Sequence, residues 1–271
     1  MTPAVVDFHV HVFPDDLAAS ALPRLSALSG LPPRFDGTVA GLLRSMRRSA
    51  VDLTVVQPVA TKPSQVRRIN EWCRDLRAHA GLTSFGALHP DLAREALQEE
   101  VRCLQAEGFR GVKLHPNYQA FQPDEDRLEP LYQALAAAGL AVLFHVGVDL
   151  GCDPPVRATP AHIAGIQRAF PGLVLIAAHL GGFRMWDEVE RNLVGTPVWL
   201  DTAFCAGQCP PEVFRDIVRA HGSHRVLLAS DGPWGDPGDT RAYLRAAGLA
   251  PEEILAIEGK NASALLAERK E

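Results

Sequence analysis

Asp7-Phe8-His9-Val10-His11 is an apolar run that carries two histidines two residues apart. On a strand, residues i and i+2 face the same way, about 7 Å apart along the backbone, so both imidazoles reach a single metal ion. Such a pair is also an ordinary feature of an edge strand, and one short motif decides little. The pair becomes a metal site only if the rest of the chain supplies further ligands.

Working outward from it, short apolar runs rich in β-branched residues alternate with stretches of helical periodicity. Residues 52–58, 82–90, 109–116, 141–147, 173–182, 197–202 and 225–233 read as further strands, each nearly continuous in hydrophobicity, as strands covered on both faces are. The spacing predicts helices over 38–49, 64–80, 91–107, 124–138, 160–170, 183–194 and 211–221. Ser64 and Asp91 are expected as caps, and Gly108 and Gly139 as stops. Residues 15–36 form a proline-rich connection with at most one short helix over 17–28, and residues 117–123 read as a loop. The tail, about 238–267, reads as short helices packed on the body. Eight strands alternating with helices in about 250 residues match a closed (β/α)8 TIM-type barrel, one domain over 1–271. An open doubly wound sheet has the same alternation, but no glycine-rich dinucleotide fingerprint follows any strand.

Composition narrows the function. The chain is 47% hydrophobic and 22% charged with a formal net charge of -5, a globular profile without a basic footprint for nucleic acid or anionic lipid. No run approaches the ~20 apolar residues of a membrane span. The 5 cysteines are scattered and never form a Cys-x-x-Cys pair, which suits reduced thiols and an expected cytoplasmic location.

In a barrel, side chains at the carboxyl ends of the strands converge on one face, where catalytic groups sit. His9, His11, His89, His115, His145 and His179 all fall at or near such ends, and Asp231 closes the last strand. His9, His11, His145 and Asp231 would supply nitrogen and oxygen ligands without a thiolate, a set suited to one divalent ion, zinc, manganese or iron. His179 is then expected to act as general acid/base or to polarise the substrate, and Asp231 to be both ligand and proton acceptor. Singly, each has an ordinary account: a histidine capping a backbone carbonyl, or an aspartate stabilising the turn before Gly232-Pro233. Their joint occurrence at equivalent strand ends favours the metal site. Lys113, on strand four, is expected to bridge a second metal as a carbamate, to hold a substrate carboxylate, or to face solvent with His115 as the true pocket neighbour. Tyr118, Phe121, Phe183, Trp186 and Trp234 follow the strands at this face and are expected to line an apolar substrate pocket.

These residues resemble the amidohydrolase superfamily: Asp-Phe-His-Val-His, Gly-Val-Lys-Leu-His-Pro, Leu-Phe-His-Val-Gly, Ala-Ala-His-Leu-Gly-Gly, Ala-Ser-Asp-Gly-Pro-Trp and Asn261-Ala262 occur in order over most of the chain. The resemblance is nearest to the amidohydrolase 2 group, which includes aminocarboxymuconate-semialdehyde decarboxylase. It implies a distorted barrel with one divalent metal, usually zinc. It also implies metal-binding roles for His9, His11, His145 and Asp231, and a contact from His179 to the catalytic water or substrate. Binuclear relatives use a carboxylated lysine on strand four, near Lys113, but the same motif occurs in mononuclear relatives, so one metal is expected. The family holds hydrolases and non-oxidative decarboxylases, which the fold cannot separate. The decarboxylases tend to hold the substrate carboxylate with an arginine, sometimes from a neighbouring subunit; no strand-end arginine is evident here, although Arg184, after Gly-Gly-Phe, is a candidate. The expectation is therefore hydrolysis of an amide, ester or lactone of a small molecule. Decarboxylation of an aromatic or enoic acid is the alternative, and a catalytically silent ligand-binding barrel the third reading. A homo-oligomer stays open.

Overall fold

The structure is a computed structural model that describes residues 4–267. Its strands are β1 (Val6–Val10), β2 (Leu53–Val56), β3 (Leu82–Ser84), β4 (Gly86–Ala87), β5 (Gly111–Leu114), β6 (Ala141–Phe144), β7 (Leu175–Ala177), β8 (Trp199–Asp201) and β9 (Val226–Leu227). Every neighbouring pair is parallel. β3 and β4 are two halves of one stave broken at Phe85, whose amide still bonds the Val56 carbonyl at 3.0 Å, an ordinary ladder distance. The first and last staves meet through the Phe8 amide on the Leu228 carbonyl (2.8 Å) and a bridge between Val10 and Gly232, which closes the barrel. The eight expected strands thus become eight staves.

The strands are apolar on both sides because two cores need them. Phe8, Val55, Phe85, Leu143, Ile176 and Leu227 fill the barrel, joined from below by Ala262 of the last helix, while Leu114, Val142, Phe144, Leu175 and Leu200 pack outward against the helical ring. Phe8 and Phe85 meet edge to face at 5.4 Å, the favoured aromatic geometry. The β1–β2 register slips between Asp7 and Val10. Across that slip Phe8 belongs to the inner core and Val10 to the cluster under α2 (Val39–Ser49). The irregularity re-aims the strand so that His9 and His11 both line the cavity above Phe8.

The helices lie close to their predicted places, with informative differences at their starts. α3 (Val66–Asp75) follows a 3-10 turn over Pro63–Gln65 in which Gln65, not Ser64, accepts the Thr61 and Lys62 amides. α4 (Arg94–Ala106) starts after Ala93 without a side-chain cap, because the Asp91 carboxylate is taken by Arg127. Residues 117–123, expected as loop, begin inside a single helical turn, α5 (Pro116–Gln119), where His115 Nδ1 accepts the Tyr118 amide. α1 (Asp15–Ser29) runs the length of the first connection, stops at the left-handed Gly30, and buries only Ala18 and Leu22. It covers the cavity mouth rather than packing into a core. Among the described residues no helix is long and apolar enough to cross a membrane.

Candidate active site

The site is built on β1 and the extension of β9. The His9 Nδ1 lies 2.8 Å from Asp201 Oδ2. A carboxylate only accepts, so Nδ1 carries the proton and Nε2 keeps its lone pair. His11 Nδ1 likewise donates to the Gln57 carbonyl at 2.8 Å, which leaves its Nε2 lone pair free. These two Nε2 atoms stand 3.2 Å apart, with Asp231 Oδ1 at 3.6 Å from one and 3.4 Å from the other. Three electron-pair donors therefore face one point, a contact that is repulsive until a proton or cation joins it. Burial and the nearby Lys113 charge push His9 well below its ordinary range, so it is neutral and fit to ligate. Burial raises the Asp231 carboxyl, but its contacts with the His11, His9 and His179 rings outweigh it and hold it below the usual carboxylate range.

Lys113 reaches the same point. Its side chain is fully buried, not solvent-facing, and its Nζ lies 3.0 Å from His9 Nε2. Burial lowers it to about 8, against the pull of Asp201, Asp231 and Asp149. His115 is buried beside it in the same cavity, so both expected neighbours are present.

His179 stands at the end of β7 with φ 61°, followed by Leu180 at 55° and Gly181 at 87°. Left-handed backbone is costly for a residue with a side chain and persists only where the surroundings impose it. Here the His179 amide donates to Asp201 Oδ1 (2.8 Å) and its Nδ1 donates to the Ala203 carbonyl (3.0 Å). Its Nε2 meets His145 Nδ1 at 3.0 Å. His179 Nε2 is then the acceptor, His145 Nδ1 the donor, and His145 Nε2 a buried lone pair without a partner.

His145, expected as a further ligand, lines the same cavity with its buried Nε2 unpaired. Its nitrogen groups with His115 and Asp149, while His9, His11 and Asp231 form the other group, each set lying within 4.8 Å. His145 is stacked on His115 at 4.4 Å and 14°, and His115 on Tyr118 at 4.0 Å and 7°. Stacked rings hold their lone pairs in parallel planes, so His115 and His145 do not converge on an ion at about 2.0–2.1 Å as His9 and His11 can. His115 instead meets Asp149 Oδ2 at 3.3 Å.

A cavity of about 700 Å³ opens above these groups, the size of a small-molecule site. Tyr118, Phe183 and Trp234 line it as expected from their positions. Three other expected substrate contacts lie elsewhere. Phe121 is fully buried in the outer core, carried there by the helical turn before it. Trp186 packs on that core and touches Phe183 at 6.2 Å, and Arg184 is exposed with its guanidinium over the Phe183 ring. Sequence reasoning passed over Asp201, Asp149, Gln57, Phe204 and Arg24. Asp201 ends its strand as Asp231 does, and that signal was legible. Arg24 lines the cavity from α1, on a connection with no motif to mark it.

The amidohydrolase family model matches residues 6–267. The chain belongs to the amidohydrolase family. No curated protein matches it in sequence. Among solved structures, it is similar to 5-carboxyvanillate decarboxylase from Sphingomonas paucimobilis, at 14% identity and TM-score 0.72 over 97% of this chain and 98% of that one. An uncharacterised TIM-barrel protein of Bordetella bronchiseptica gives 18% and 0.74 over 97% and 98%. A dihydroxybenzoic acid decarboxylase from Polaromonas, with bound manganese and the inhibitor 2-nitroresorcinol, gives 16% and 0.70 over 97% of each chain. These likenesses establish the (β/α)8 fold of this amidohydrolase. The convergent, thiolate-free imidazole and carboxylate donors of His9, His11 and Asp231 fit a divalent metal ion.

Proposed function

We propose that this amidohydrolase is a metal-dependent hydrolase of an amide, ester or lactone bond in a small molecule, with His9, His11 and Asp231 as the protein ligands of one divalent ion, zinc first. The observation that carries the reading is the meeting of three lone-pair donors at the floor of the 700 Å³ cavity, beside an anchored imidazole. A divalent ion supplies Lewis acidity and makes water acidic near neutral pH, toward a pKa of about 7.

The chain's own groups then divide the work. Asp231 keeps its charge and offers its second oxygen to a proton. His179, fixed at Nδ1 by the Ala203 carbonyl, accepts from His145 Nδ1 at its Nε2, so a proton taken up at the free His145 Nε2 is passed on, as the Nδ1 proton, to His179. Lys113 keeps its Nζ against His9 Nε2 and yields both that atom and its own proton as the ion enters. Tyr118, Phe183 and Trp234 bound the substrate's carbon skeleton.

One observation favours decarboxylation of an aromatic or enoic acid as a second reading. Arg24 lines the cavity and has no ion pair or hydrogen bond among the described residues, so its guanidinium is free to hold a carboxylate. Incubating the metal-loaded protein with a panel of esters, amides and lactones and a panel of aromatic and enoic acids separates the two. Product acids formed with uptake of water support hydrolysis. Release of CO₂ without it replaces hydrolysis by the second reading, and inactivity on both panels removes both.

A further inference from the structure

Asp201 is fully buried, ends β8, and uses both of its oxygens on the site. Oδ2 takes the His9 Nδ1 proton at 2.8 Å. Oδ1 takes the amides of His179 (2.8 Å) and Ala203 (3.0 Å), and Ala203 in turn holds His179 Nδ1 through its carbonyl. One oxygen thus fixes the tautomer of a metal-facing imidazole. The other fixes the backbone of the proton-transfer histidine in its left-handed conformation.

We infer that Asp201 is a positioning residue that sets the metal affinity of His9 and the placement of His179 at once, through its two oxygens. This rests on the metal reading above. A carboxylate behind a ligating histidine holds the ring by its far nitrogen and raises its basicity, and losing such a partner typically weakens metal binding about 10–100-fold.

The Asp201→Asn variant isolates the His9 arm. Its amide oxygen still accepts from the His179 and Ala203 amides, while its NH₂ faces His9 Nδ1, which must then accept and move the ring proton to Nε2. Zinc affinity of the metal-free protein, read by competition with a chromophoric chelator, is expected to fall about 10–100-fold, with the melting temperature of the metal-free protein little changed. Wild-type zinc affinity in the variant overturns the inference. Histidine ¹⁵N spectra of the metal-free wild type test the same arm without a variant. They are expected to show His9 protonated at Nδ1, and a proton at Nε2 overturns the inference even if Asp201→Asn does not fold. A wild type that binds no zinc defeats the metal reading, a result distinguishable from either of these.

Discussion

His9 and His11 present their Nε2 atoms to each other at 3.2 Å, each with its other nitrogen already spent on a protein acceptor. Two lone pairs held so close are stable only around a shared positive centre. The purified protein is therefore expected to carry about one divalent metal per chain by elemental analysis. The His9→Ala/His11→Ala double variant is expected to carry none above background, and undiminished metal in it would place the ion elsewhere.

His179 is held by its backbone and Nδ1, not by the His9–His11–Asp231 group. In His179→Asn, turnover should drop by about 10²–10⁴, the usual weight of a positioned acid or base, while metal content stays. Loss of the metal together with activity would move His179 into the ligand set.

Metal uptake should also release a proton from Lys113. The ammonium is already lowered to about 8 by burial, and a divalent ion at His9 would lower it further. His9 is neutral and Asp231 ionised beforehand, so neither has a proton to give. Titrating zinc into metal-free protein in weak buffer at about pH 7.5 should acidify the solution, and Lys113→Met should release fewer protons per ion bound. Equal release by both would exonerate Lys113.

Asp7 gives a pH dependence of stability. Burial pushes its carboxyl from 3.8 up to about 7, in spite of hydrogen bonds from the Ser230 amide and hydroxyl. Between those values the folded chain binds more protons than the unfolded one, so the contribution is complete below about pH 4 and is lost as pH rises through about 7. Urea denaturation across that window should show a decline that is smaller in Asp7→Asn. An identical slope in the two proteins would show that Asp7 titrates normally.

Phe121 and Tyr118 separate core from cavity wall. Phe121→Ala should cost about 3–5 kcal/mol of stability, as a fully buried aromatic does, and leave substrate affinity alone once folded. Tyr118→Ala, at 36% exposure, should do the reverse. Denaturation midpoints and KM values measured on both variants decide it.

The barrel was legible because strands covered on two sides leave long apolar runs, and parallel pairing requires a helix between each. His9, His11 and Asp231 were legible because strand ends converge in such a barrel. Phe121 and Trp186 misled because their side is set by the turns that precede them: the helical turn Pro116–Gln119 carries Phe121 into the core, and the tight backbone from His179 to Arg184 delays α8 (Trp186–Asn192), so Trp186 opens the helix against that core. His145 occupies the expected strand end. Its partner was decided by ring stacking against His115, which no spacing encodes. Arg24 depends on how α1 lies across the mouth, a tertiary placement in a segment that buries little of itself.

The closing contact between the first and last staves joins residues far apart in the chain: the bond from Ser230 to Asp7 spans 223 positions. The donors of His9, His11 and Asp231 straddle that same seam. An ion seated there would clasp a loop of most of the chain, and closing a loop of that length removes on the order of 5 kcal/mol of freedom from the open chain, by analogy with a covalent cross-link. During synthesis the site is incomplete until the ninth strand has emerged, so metal capture marks the moment at which the ring is finished.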